Sequence, residues 1–112
     1  MLRGSIGNHL LTVRSESDLN ADEGEALVGQ CVHKPAEGAV HVAIDPECKG
    51  VGLFDTVIHE IAHGGEYVYG LDVPHSVIYT LATAISQGLI STGLVTVEEF
   101  EARFRRLIME AK

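Results

Sequence analysis

Positive charge is scarce in this chain: 8 Lys and Arg stand against 16 Asp and Glu in 112 residues, a formal net charge of −8. Nucleic acid and anionic membrane surfaces both demand clustered cations, so neither is expected as the main partner. Cysteine is nearly absent too. Cys31 and Cys48 lack a CxxC partner and read as reduced thiols of a cytoplasmic protein rather than as a disulfide. A structural metal at Cys31 and His33 finds no further ligands in the nearby sequence. No apolar core of signal-peptide length follows Met1-Leu2-Arg3-Gly4-Ser5. The apolar stretch from Val77 to Ile90 is interrupted and too short to cross a membrane.

Apolar residues make up 46% of the chain, enough for one domain with a small core. The pattern predicts an α+β fold in that single domain, residues 1–112: a β-rich part over 1–50 with a small antiparallel sheet, then about three helices over 51–112. Leu10 to Val13 is a short candidate strand. Ala26 to His33 and Ala39 to Asp45 form a predicted hairpin turning through Lys34-Pro35-Ala36-Glu37-Gly38. Val40, Val42 and Ile44 alternate with Ala39, His41 and Ala43, so one face of that strand packs on the following helix. The strand is expected to run along the rim of a cleft, where a free edge would accept an extended peptide. His41 reads as an ordinary strand residue, and the five acids between Glu16 and Glu25 as a solvated loop.

The run His59-Glu60-Ile61-Ala62-His63 carries the chemistry. Helical residues turn by ~100° and rise ~1.5 Å each, which places His59 and His63 ~40° apart on successive turns, both able to face one metal ion. Glu60, rotated ~100° from His59, is poorly placed as a ligand but able to reach a water on that ion. With six His and eleven Glu in the chain, the motif recurs in about 3% of shuffled sequences, so its context matters. Phe54, Val57, Ile58 and Ile61 recur at helical spacing and put the motif on an amphipathic helix.

A catalytic zinc takes three protein ligands and an open fourth position. Glu66 lies ~10.5 Å along the axis from His59, reachable only if the helix breaks at Gly64-Gly65. Asp72 precedes Pro74 and a new periodic run, the place of an N-cap. His75, in the first turn of a second helix after a reversal at Gly70, approaches from the open side and is the favoured third ligand, with Glu66 and Asp72 as alternatives.

The run Thr56 to His63, followed by Gly70-Leu71-Asp72-Val73-Pro74-His75 and the helix through Leu81 and Gly88-Leu89, resembles the small single-domain zinc metallopeptidases of phages and prophages, minimal zincins. The resemblance covers roughly residues 39 to 92, with HExxH as its specific element. It implies a short β-rich part ahead of the motif helix, zinc as cofactor, and substrate held along a strand. An acidic residue commonly stands in that family where this chain has His75, and imidazole is an equally competent zinc ligand. The extended metzincin motif is absent, because Tyr69 occupies the position of its last histidine.

Val77, Ile78, Leu81, Ala84, Ile85 and Leu89 are the predicted buried face of the second helix, with His75, Tyr79, Ala82 and Ser86 along another stripe. Tyr79 is thereby the candidate donor to a developing oxyanion, with Tyr69 second. A third helix is opened by a Thr96/Glu99 capping box and a Val95/Phe100 staple, and Phe100, Phe104, Leu107, Ile108 and Ala111 make its apolar stripe. That stripe, with Arg103, Arg105 and Arg106 beside it, offers a surface for an oligomer or protein partner. The expected function is peptide-bond hydrolysis by a zinc-activated water, with His59, His63 and His75 on the metal and Glu60 as general base. The alternative is a non-catalytic metal-binding interaction protein, a phage-type binder of a host factor, with a structural or vestigial zinc site.

Overall fold

The structure, a computed structural model, describes residues 1–19 and 28–110. Four strands, β1 (Leu2–Ile6), β2 (His9–Ser15), β3 (Gly29–Lys34) and β4 (Ala39–Ile44), precede three helices, α1 (Gly50–Val68), α2 (His75–Ser91) and α3 (Val97–Glu110). The class is α+β, as the sequence pattern predicts. Asp22, Glu23 and Glu25 of the acidic cluster, Ala26 and Leu27 of the predicted hairpin, and Ala111 of the apolar stripe lie outside the described residues.

The strand order is β1-β2-β4-β3. β3 and β4 form the expected antiparallel hairpin, closed by the 3₁₀ turn Pro35–Glu37. β1 is an additional strand, paired antiparallel to β2 across the two-residue turn Gly7-Asn8. The sheet is mixed rather than wholly antiparallel, because β2 pairs parallel to β4. The two are joined through β3 instead of by a tight turn, which frees them to run in the same direction. β4 consequently lies inside the sheet, and its Val40, Val42 and Ile44 are essentially inaccessible. The free edge on that side belongs to β3, not to β4 as expected from the sequence.

α1 lies across β3 and β4 and carries α2 and α3 against its outer sides. Val13, Val42 and Ile44 from the sheet, Leu53 and Val57 from α1, and Phe104 and Ile108 from α3 make the main core cluster. Phe100 adds an edge-on contact with Phe54 at 4.8 Å between ring centres. Phe104 and Ile108 of the α3 stripe are thus buried inside the chain, with Phe100 packed beside them.

α2 turns a different face inward from the one its periodicity suggests. Ile78, Ala82 and Ser86 are buried, whereas Val77, Leu81, Ala84 and Ile85 are exposed. The helix is apolar on nearly every side, so hydrophobicity alone does not choose its orientation. Small Ala82 and Ser86 allow the close approach to α1, and that orientation brings His75 and Tyr79 to the same side.

The link from α1 to α2 follows from one glycine. Gly70 adopts φ 63°, where residues bearing a Cβ are strained. Leu71 N–H donates to Glu66 O at 2.9 Å and Gly70 N–H to Tyr67 O at 3.3 Å, which together close the helix as a Schellman motif. The chain reverses there, and α2 begins at His75 directly after Pro74. Pro74, not Asp72, holds the N-cap position, and α2 has no side-chain cap.

α1 begins on Lys49 without a cap of its own, and α3 supplies one. Gly50 N–H donates to Glu101 Oε1 at 2.7 Å, satisfying a helix-start donor with an anion where the dipole favours it. Arg105 grips Glu101 at 3.1 Å and donates to the carbonyls of Pro46 and Cys48, fastening the approach to α1 onto α3. The Gly50 hydrogen bond, and then Arg105, hold the Glu101 carboxyl below its usual value of 4.5. A carboxyl with a lowered folded-state pKa contributes stability above its unfolded pKa and loses it as pH falls. The wild-type protein is therefore expected to melt above Glu101→Gln near pH 7, the gap closing as pH falls below the ordinary carboxyl value of 4.5. Thermal melts across that range check this; a gap that does not depend on pH contradicts it.

Candidate metal centre

His59 and His63 stand one turn apart on α1, which runs unbroken through Gly64 and Gly65 to Val68. Their Nε2 atoms are 3.1 Å apart. His75, the first residue of α2, completes a nearly equilateral group: ring centres are 4.7 Å apart for His59 and His63, 4.9 Å for His63 and His75, and 5.2 Å for His59 and His75. One ligand atom from each lies within 4.8 Å of the others, so the three imidazoles could hold a metal ion. Among the described residues no other group of three ligating side chains does so.

The two competing third ligands fall elsewhere. Asp72 is exposed and outside the group. Glu66 acts one step further out: His63 Nδ1–H donates to Glu66 Oε1 at 3.0 Å. That bond fixes the tautomer and leaves the His63 Nε2 lone pair facing the cluster, the outer-shell arrangement that orients metal-binding imidazoles. Burial first, then the neighbouring His63 and His75, push the His59 pKa down, against a smaller opposing pull from Asp55. The shift favours the neutral His59 ring, whose free nitrogen can face the cluster.

Beside the cluster lies a cavity of about 550 Å³ lined on one wall by Val28 to Cys31 and on the other by Thr56, His59, Glu60 and His63, with Tyr67 and Tyr79. Glu60 faces it at only 7% exposure. Burial raises its pKa, offset in part by His63. Burial thus favours the protonated form of this carboxyl more than solvent would.

β3 makes room for that carboxylate through a missing side chain. A Cβ on Gly29 would stand 2.7 Å from Thr56 Cγ2, closer than packed atoms tolerate, and 3.1 Å from Glu60 Oε2, a tight contact. Cys31, next on the same wall, is a neutral thiol: burial above all, with Glu60, pushes its pKa up to about 12. It serves as apolar wall rather than as nucleophile.

Tyr79 lines the cavity with its ring 5.7 Å from His59, but Tyr69 does not; its hydroxyl lies against Gly7. Tyr67 was not anticipated. It lines the cavity, stacks on His63 at 6.3 Å and has its phenol pKa raised by burial, then by Cys31, Glu66 and Glu60. Its spacing four residues after His63 puts it on the same helix face, a signal present in the sequence. Gly29 and Cys31 carried no such signal, since only strand pairing brings them here. His41 points away from the cluster, sharing a 2.7 Å hydrogen bond with Thr12 Oγ1 and lining a separate cavity of about 430 Å³.

No protein-family model matches the chain, and no curated protein or solved structure is significantly similar to it. No described helix is long and apolar enough to cross a membrane.

The closeness of Gly29 to Thr56 and Glu60 has a direct test. Gly29→Ala is expected to destabilise the fold by about 1–3 kcal/mol in chemical denaturation, and adding Thr56→Ala to recover about half or more of the loss. Simple additivity of the two substitutions contradicts the contact.

Proposed function

We propose that the chain is a zinc-dependent peptidase, with His59, His63 and His75 holding the metal and Glu60 as general base. The observation that carries this reading is a cluster of three imidazoles with a buried carboxylate one residue along the same helix, both opening into one cavity. The donor set suits the ion. At Zn–N lengths of about 2.0–2.1 Å, nitrogens 3.1 Å apart subtend about 100°, close to tetrahedral. Neutral imidazoles favour zinc over magnesium or calcium, which prefer oxygen. A structural site closes with a fourth protein ligand, and among the described residues the group contains three.

When bound, zinc supplies an acidified water and a Lewis acid for the scissile carbonyl. Glu60 takes the proton of the attacking water, holds it in its low-dielectric surroundings, and passes it to the departing amine. Glu66 keeps His63 aligned throughout. Tyr79 donates a hydrogen bond to the carbonyl oxygen as negative charge builds there. Val28 to Cys31, at the free edge of the sheet, hold an extended peptide beside the imidazoles by strand addition, which presents its backbone to Glu60.

Two variants separate the roles. Glu60→Gln is expected to retain about one equivalent of zinc while cleavage of a peptide library falls by about a hundredfold or more, and His63→Ala to lose both metal and turnover. Turnover in Glu60→Gln equal to the parent removes the assigned base. Full zinc content in His63→Ala removes the assigned ligand.

A further inference from the structure

A second pair of histidines stands outside the cluster. His9 opens β2 and His33 lies near the end of β3, on either side of the start of β4. Leu11 and His33 are both register partners of Val40, and alternation along β2 puts His9 on the same face as Leu11. Their Nε2 atoms approach to 3.4 Å. That is long for a hydrogen bond, whose usual range ends near ~3.2 Å. It matches the ~3.3–3.4 Å between two nitrogens each ~2.05 Å from a tetrahedral ion.

The orientation of His9 is set from outside. Its Nδ1 lies 2.8 Å from Asn8 Oδ1, and because a carbonyl oxygen only accepts, Nδ1 carries the proton and Nε2 presents its lone pair toward His33. Asn8 does for His9 what Glu66 does for His63. His33 is held by Tyr67, whose ring stacks on it at 5.7 Å with a 2° interplanar angle. Tyr67 belongs to the last turn of α1, where the negative end of the helix dipole favours a cation.

We infer that His9 and His33 form a second site for a divalent transition ion of the zinc, nickel or copper type, with solvent completing its shell. Both imidazoles present Nε2 at a metal-bridging distance and one of them is locked in the required tautomer. Two protein nitrogens hold an ion less tightly than three, so this site fills after the first. Tyr67 stacks on both His33 and His63, so one aromatic ring touches a histidine of each group.

Zinc titration of the wild-type protein, followed by histidine side-chain ¹H–¹⁵N spectra, tests the assignment. The Nε2 resonances of His9 and His33 are expected to shift together in a second step, after those of His59, His63 and His75. Asn8→Ala, which leaves both rings in place, is expected to weaken that second step about 10–100-fold and leave the first unchanged. His33→Ala is expected to abolish it. If His9 and His33 stay unmoved in excess zinc, or if Asn8→Ala and His33→Ala titrate like the parent, the second site is refuted. A response of His9 and His33 without one from His59, His63 and His75 upholds this site and instead removes the metal from the proposed peptidase centre.

Discussion

One helical turn separates His59 from His63, and that turn sets the two Nε2 atoms 3.1 Å apart. The rest of the architecture gives the pair its surroundings. The sheet supports α1 and provides a wall on which Gly29 leaves room for Glu60. The reversal at Gly70 returns the chain so that α2 delivers His75 to the side α1 leaves open. Glu101 and Arg105 of α3 secure the start of α1, far from the imidazoles but on the element that carries them. Each element thus contributes an imidazole of the group, an orienting side chain or support for α1.

Electrostatics runs in one direction across the centre. Burial and mutual proximity disfavour protonation of His59, and burial disfavours ionisation of Glu60. Three imidazoles crowded together disfavour added protons through mutual repulsion, and the same crowding suits one shared cation. On the proposed reading, that preference is what the small domain obtains by enclosing polar groups between the sheet and two helices. The cavity wall of Cys31 and Gly29 adds low polarity without adding a competing nucleophile.

Much of this was legible from local pattern. The period of Phe54, Val57, Ile58 and Ile61 marked α1, the turn residues Lys34 to Gly38 marked the β3–β4 hairpin, and the Phe100–Ile108 stripe marked α3. The position of His75 followed from Gly70 and Pro74. What stayed hidden was non-local. β1 carries Arg3-Gly4-Ser5 and shows no alternation, so only its pairing with β2 makes it a strand. The parallel contact of β2 with β4 moves the free edge to β3, and no short-range signal encodes it. The orientation of α2 was misread because its apolar residues surround the axis; steric fit at Ala82 and Ser86 decides it. Glu66, an alternative third ligand from the sequence, stands outside the three-imidazole group, and its three-residue spacing instead pairs it with His63.

On the proposed reading, His59, His63 and His75 bind one divalent ion and leave a corner to solvent. X-ray absorption at the zinc edge, on protein loaded with one equivalent, measures that shell directly. The expected result is three histidine nitrogens and one oxygen at about 2.0–2.1 Å. A shell of oxygens alone, or a fourth protein ligand such as a sulfur near about 2.3 Å, contradicts it.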